Sequence, residues 1–232
     1  MKIKKRIKVI GLDADDTLWD NEIFFRRTEK HFCQLLLPYN KAINTLAELT
    51  KTERKNMDLY GYGIKAFILS MIETAIHISQ GQISGKEIAQ IIQFGREQLR
   101  YPVRLLEGVE ETLQQLSTDY RLILVTKGDL LDQNYKLDQS GLRKQFHHIE
   151  IMYDKTPLQY KRMLRRIDVE ASHFLMIGNS IKSDILPPLE LGAYAIHVPF
   201  HTTWEYEIAE EPIHNPHFHK VKKLTETLDF LL

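Results

Sequence analysis

The sequence predicts an α/β protein: a doubly wound, Rossmann-like parallel-sheet core, interrupted after its first strand by an inserted all-helical domain. Residues 7–12, IKVIGL, are a short, nearly continuous β-branched run, the pattern of a strand buried on both faces. From about Asn21 to Arg100 apolar residues recur at helical spacing with hardly any strand signal. After Pro102 short apolar runs alternate with amphipathic stretches, as βαβ units require. These observations place a core domain at 1–20 and 101–232 and a helical domain at 21–100.

Within the helical stretch, Phe25, Thr28, Phe32, Leu35 and Leu36 make one stripe, ended by Pro38, and Ile43, Leu46 and Leu49 suggest a second. Ile64, Phe67, Ile68, Met71, Ile72, Ala75 and Ile76 make a third, which stops at Gly81. A fourth opens with the capping box Ser84 to Glu87 and ends before Tyr101-Pro102. Beyond it the pattern predicts helices near Glu107–Ser117, Leu130–Gln139, Pro157–Ile167 and Ile185–Leu191. Strands are predicted at Arg121–Val125, Ile149–Met152, Phe174–Ile177 and Ala193–Val198. The C-terminal LTETLDFLL is expected to dock as a helix, and Tyr60-Gly61-Tyr62-Gly63 to make a tight turn.

Composition narrows the function classes. The 232 residues carry 31 basic and 31 acidic side chains, a formal net charge of +0, so no global field exists to hold a polyanion. General nucleic-acid or acidic-membrane binding is therefore not expected. No apolar run is long enough to span a bilayer, and the basic start is not followed by a signal-type apolar region; a cytoplasmic protein is expected. The single cysteine, Cys33, excludes an internal disulfide and reads as a small hydrophobe.

In open parallel sheets ligands bind beyond the carboxyl ends of the strands. Those ends are polar here: Asp13-Ala14-Asp15-Asp16-Thr17-Leu18, then Thr126-Lys127-Gly128, then Asp154-Lys155, then Gly178-Asn179-Ser180 with Ser183 and Asp184. Three acids within four residues after a buried strand demand a compensating cation or proton. A calcium loop starting at Asp13 would need Gly and Glu where Leu18 and Phe24 stand. A solvated Asp-rich turn is the plain alternative, set against the ordered recurrence of polar residues at later strand ends.

These segments resemble the haloacid dehalogenase superfamily. VIGLDADDTL at 9–18 is similar to its first motif, hhhhDxDxT; LILVT at 122–126 to the second; Lys155 in DKTPLQY to the third; and LMIGNSIKSD at 175–184 to the fourth, usually GDxxxxD. The helical insertion resembles the family's C1 cap, which closes over the active site. The resemblance implies a phosphatase acting on a small phosphorylated metabolite with Mg2+. Asp13 would be the nucleophile, and Asp15 the acid and then the base. Thr126, Lys127 and Lys155 would bind the phosphoryl group. Asp13, Asp184 and the main-chain carbonyl of Asp15 would hold the metal, supported by Thr17, Asn179 and Ser180. Lys161 is the runner-up for the Lys155 role. Asn179 departs from the family pattern, an amide where an acid is usual, and implies weaker metal binding.

On the same scaffold a phosphomutase or a 2-haloacid dehalogenase is an alternative, and outside it a non-catalytic phosphate sensor. A dehalogenase attacks carbon and needs no acid two residues after the nucleophile, so Asp15 argues for phosphorus. His214, His217 and His219 lack a companion acid or cysteine pattern and read as surface loop. Trp19 and Asp20 read as hinge or entrance residues.

Overall fold

The computed structural model describes residues 6–39 and 42–232; the basic residues Lys2, Lys4 and Lys5 lie outside this range. The chain divides into two compact units.

The first takes in the chain up to Glu22, Val103–Lys127 and Gln133–Leu232. Its sheet has six parallel strands: β1 (Val9–Leu12), β2 (Arg121–Lys127), β3 (His148–Met152), β4 (Phe174–Gly178), β5 (Tyr194–His197) and β6 (Phe218–Lys220), in the order β3-β2-β1-β4-β5-β6. β1 is central, with Leu12 in register with Leu124 on one side and Ile177 on the other. The winding reverses there, between β1 and β4, the point of an open parallel sheet beyond whose carboxyl edge ligands bind.

Side-chain alternation builds a layer on each face. Ile10, Leu12, Leu122, Leu124, Leu175 and Ile177 pack with Val109, Leu113 and Leu116. Val9, Ile123, Val125, Phe174 and Met176 pack with Tyr160, Met163 and Leu164. The helices concerned are α5 (Val109–Leu116) and α7 (Pro157–Arg166). Gly11 is required by close approach: a Cβ there would lie 2.6 Å from Cζ of Phe174.

Three features differ from the sequence expectation. The helix expected at 185–191 forms as α8 (Leu186–Glu190), but a π-helical turn, Ile181–Ile185, that the sequence did not suggest precedes it. β6 arises inside the segment expected to be a surface loop. At three residues it is too short for periodicity to reveal, yet His219 lies on it against Phe230, and His217 stacks on Tyr194. The C-terminus docks through a turn (Leu224–Thr227) and α9 (Leu228–Leu231), where the Tyr120 hydroxyl donates to the Leu231 carbonyl at 2.7 Å.

The second unit is Ile23–Pro102 with Gly128–Asp132. Its helices are α1 (Glu22–Leu36), α2 (Thr45–Tyr60), α3 (Ile64–Ile78) and α4 (Gly85–Gln98). Phe32, Leu36, Leu49, Ile64, Phe67, Met71, Ala75, Ile78 and Ile91 form its core. Ile76, read as part of the third stripe, instead points outward, and Ile78 is buried. The Ser84–Glu87 capping box is present. Gly61 (φ 71°) and Gly63 (φ 103°) turn the chain between α2 and α3 in conformations other residues rarely adopt. The segment 128–132 opens α6 (Leu130–Gln139). It joins this unit through Asp129, whose carboxylate sits 2.9 Å from Lys65 Nζ. Among the described residues no helix is long and apolar enough to cross a membrane.

α2 runs well past its apolar stripe because its inward face turns polar. Asn56 is buried and donates to Ser70 Oγ at 3.2 Å. Burial, then the neighbouring Glu29, pushes Glu53 up from 4.5 to about 8, against the pull of Arg26. A carboxyl raised in the folded state stabilises fully below its ordinary value, and that contribution is lost as pH climbs toward the raised one. Glu53→Gln keeps the neutral shape, so thermal denaturation should match wild type at pH 4.5 and show the variant about 1–3 kcal/mol more stable at pH 8.

Candidate active site

The loop leaving β1 opens at Asp13, whose amide donates to the Ile177 carbonyl at 2.9 Å and so continues the sheet. Its carboxylate is buried. Oδ1 accepts from Lys155 Nζ at 2.5 Å and Oδ2 from Thr17 Oγ1 at 3.2 Å. Lys155 comes from the loop between β3 and α7. There Thr156 caps the helix by accepting from Gln159 N at 3.3 Å, and Pro157 occupies its first turn. The lysine side chain is 1% exposed, and the same Nζ donates to Asp184 Oδ1 at 2.6 Å. Asp184 lies on the π-helical turn after β4, and its Oδ2 accepts from Ser180 N at 3.0 Å. Three loops that are distant in sequence thus meet at one ammonium.

Burial pushes the Asp13 carboxyl up to about 7, with Asp184 adding to the shift and Lys155 opposing it. Burial disfavours the Lys155 ammonium, but Asp13 and Asp184 outweigh it and hold the lysine above its ordinary value.

Asp15 occupies a separate bed. Its Oδ1 accepts from Trp19 Nε1 at 2.7 Å, its Oδ2 from Gln133 Nε2 at 2.8 Å, and both oxygens from Lys136 Nζ at 2.7 and 2.8 Å. Trp19, expected as a hinge or entrance residue, is fully buried and props Asp15 from beneath. Asp16 serves the helix instead: at φ 59° its carboxylate accepts from the amides of Asn21 and Glu22, at the start of α1.

Thr126 is buried at the end of β2, its hydroxyl 3.4 Å from Gln133 Oε1. Lys127 alternates to the other side of the strand, where Nζ donates to Ser183 Oγ at 2.8 Å and pairs with Glu207. The expected phosphate-binding Lys127 is therefore engaged by Glu207 and Ser183. Glu207 also accepts from Ser180 Oγ, and from Ser183 Oγ at 2.5 Å. Burial would raise its carboxyl, but Lys127 and these hydroxyls hold it below the ordinary range. Asn179 Oδ1 lies 3.3 Å from Thr17 Oγ1, beside Asp13. Lys161 is exposed on α7. Gln133, Lys136 and Glu207 were not singled out in the sequence. For the first two the available signal is helical spacing from Leu137, which is buried on the same face of α6 as Gln133 while Leu130 and Leu131 are exposed.

The donor chemistry suits a hard divalent cation. Asp13 and Asp184 offer two mutually repelling buried carboxylates, and Asn179 a nearby amide oxygen. Among the described residues no group of three His, Cys, Asp or Glu side chains gathers as metal ligands, so such a site would draw on amide, main-chain or water oxygens as well.

A family model for haloacid dehalogenase-like hydrolases matches residues 7–192. A haloacid dehalogenase-like family hydrolase from Xanthomonas campestris is 35% identical, with TM-score 0.87 over 97% of this chain and 92% of its own. Glyceraldehyde 3-phosphate phosphatase from Pyrococcus furiosus is 24% identical over 81% of this chain and 79% of its own. N-acylneuraminate-9-phosphatase from Homo sapiens is 22% identical over 82% and 81%. Solved dehalogenases at 14–20% identity share the fold.

The pocket's tightness is testable at Gly178, where a Cβ would lie 2.3 Å from Asp184 Oδ2. Gly178→Ala should lower stability by about 1–3 kcal/mol in a denaturation melt, because the buried Asp184 carboxylate has to move off Lys155.

Proposed function

The chain belongs to the haloacid dehalogenase-like hydrolases, and from that premise we propose that it is a Mg2+-dependent phosphatase that hydrolyses a small phosphomonoester through an aspartyl-phosphate intermediate. The observation that carries the proposal is the pair of separately supported carboxylates two residues apart: Asp13 on Lys155, and Asp15 on Trp19, Gln133 and Lys136. Attack on carbon has no use for the second of them. The two phosphatase relatives support the same choice.

In this mechanism an Asp13 carboxylate oxygen attacks phosphorus, and the bond to the substrate's alcohol oxygen breaks. Asp15 gives that oxygen its proton. It then takes one from water, whose oxygen attacks the acyl phosphate to release inorganic phosphate and restore Asp13. Lys155 offsets charge on Asp13 and on the phosphoryl oxygens, and the Thr126 hydroxyl turns from Gln133 to donate to one of them. Asp13, Asp184, the Asp15 main-chain carbonyl and Asn179 are the groups that would hold Mg2+. When bound it supplies charge neutralisation for a substrate carrying about two negative charges. Lys127 is assigned to holding Glu207 and the loop around Ser180 and Ser183. The helical unit is assigned the part of a specificity-setting cap domain, and the single free cysteine, Cys33, accords with a reducing cytoplasmic setting.

A panel of phosphorylated metabolites, run with and without Mg2+, tests the proposal. Turnover is expected with at least one small phosphomonoester, without a bisphosphate activator, falling to background with chelator and by at least about 1,000-fold in Asp13→Asn. No turnover across the panel, with no Asp13-dependent phosphoenzyme, rejects it. Asn179→Asp should restore a charged donor and lower the Mg2+ concentration for half-maximal rate by about threefold to tenfold in a metal titration.

A further inference from the structure

We propose that Lys136, acting with Gln133, is a positioning residue for proton delivery: it fixes the Asp15 carboxylate, and departure of a basic leaving group depends on it. The proposal rests on the phosphatase reading above and extends it to a residue of α6.

Asp15 sits on a loop with two side-chain rotors and therefore needs outside support to present one orientation. The Trp19 indole comes from the same loop, four residues on. The remaining contacts come from α6, where Gln133 and Lys136, three residues apart, share a helix face. The Lys136 side chain is 15% exposed and that of Asp15 is 21%, so this pair is far drier than an ordinary surface pair. Lys136 Nζ contacts both carboxylate oxygens and, at 3.2 Å, Asn21 Oδ1, which closes the loop from its far end.

Gln133 adds a direction. Its amide oxygen faces the Thr126 hydroxyl and its amide nitrogen faces Asp15, so one side chain links the candidate phosphoryl-binding hydroxyl to the candidate acid. The helix is anchored where it starts: Asp129 accepts from Asp132 N at 3.0 Å. Charge is apportioned as well. Residues 13–22 hold five carboxylates and no basic side chain, and the lysines that answer them arrive from later in the chain, Lys155 at Asp13 and Lys136 at Asp15. Methionine at 136 would keep the stem's packing and leave Asp15 with the indole and amide donors alone; arginine would keep both the charge and the two-oxygen contact.

Two aryl esters of nearly equal shape and different leaving-group basicity separate positioning from loss of structure. With Mg2+, kcat/KM is measured on para-nitrophenyl phosphate, whose leaving group departs with little protonation, and on phenyl phosphate, whose leaving group needs a proton. Lys136→Met is expected to lose about 100-fold on phenyl phosphate and no more than about tenfold on para-nitrophenyl phosphate. Lys136→Arg should recover most of that loss. Asp15→Asn should show the same asymmetry, and the double variant should lose little beyond Asp15→Asn alone. Equal losses on the two esters, no loss, or additivity with Asp15→Asn overturns the positioning role and leaves the phosphatase reading standing. If Lys136→Met does not fold, Gln133→Leu decides by the same ratio. If wild type hydrolyses neither ester nor any phosphomonoester of the panel, the phosphatase reading itself falls and this inference with it.

Discussion

One ammonium organises the centre of this molecule. Lys155 is almost wholly removed from water, and a lone buried charge is costly unless partners and hydrogen bonds compensate it. Its partners, Asp13 and Asp184, carry the same liability and repel each other, so none of the three is tolerable alone. The sheet supplies them from different strands. β1 and β4 are neighbours, but β3 is separated from β1 by β2, roughly 10 Å of sheet. A long, flexible side chain is suited to that reach. The loops after three strands are therefore tied to one another through a polar contact, while the strands themselves are tied by apolar packing.

The acidic loop shows how one local charge problem receives three answers. Asp13 is met by a lysine, Asp15 by a lysine with an indole and an amide, and Asp16 by backbone amides at the start of a helix. Under the proposed mechanism each answer suits its carboxylate to a different role, the first to reaction, the second to proton transfer and the third to chain direction. The global cancellation of charge conceals this arrangement, because the compensating lysines lie more than 100 residues away in sequence.

Much of the fold was legible because its signals are local and repeated. β1 through β5 and the helices between them are written in apolar period, caps and prolines, and the Thr156-Pro157 start of α7 is as clear in sequence as in space. Polar strand ends marked Asp13, Lys155 and Asp184 as candidates, and the resemblance to the family's motifs implied that they share one site. What escaped lacks a period of its own. β6 is three residues long, and the second half of α2 buries Asn56 where an apolar residue would mark the face. Gln133 and Lys136 sit on a helix that buries one leucine, Leu137, and exposes two, Leu130 and Leu131, so hydrophobicity marks its inward face only weakly. Glu207 ends a three-residue 3-10 turn, Glu205–Glu207, with no motif, and only the fold brings it to Ser180, Ser183 and Lys127. Lys127 itself shows the limit of adjacency: strand alternation turns it away from Thr126.

The grouping of Gly128–Asp132 with the helical unit bears on how such proteins can be recombined. An inserted domain invites exchange as a cassette, with two cuts in the loops that enter and leave it. Here the cassette has a detached fragment: Asp129 pairs with Lys65, and its backbone stands 3.2 Å from where a Cβ at Gly63 would be. A chimera that swaps 23–102 alone would inherit one half of that fit and lose the other. The natural unit of exchange is two segments, and the shorter one begins directly after the Thr126-Lys127 strand end.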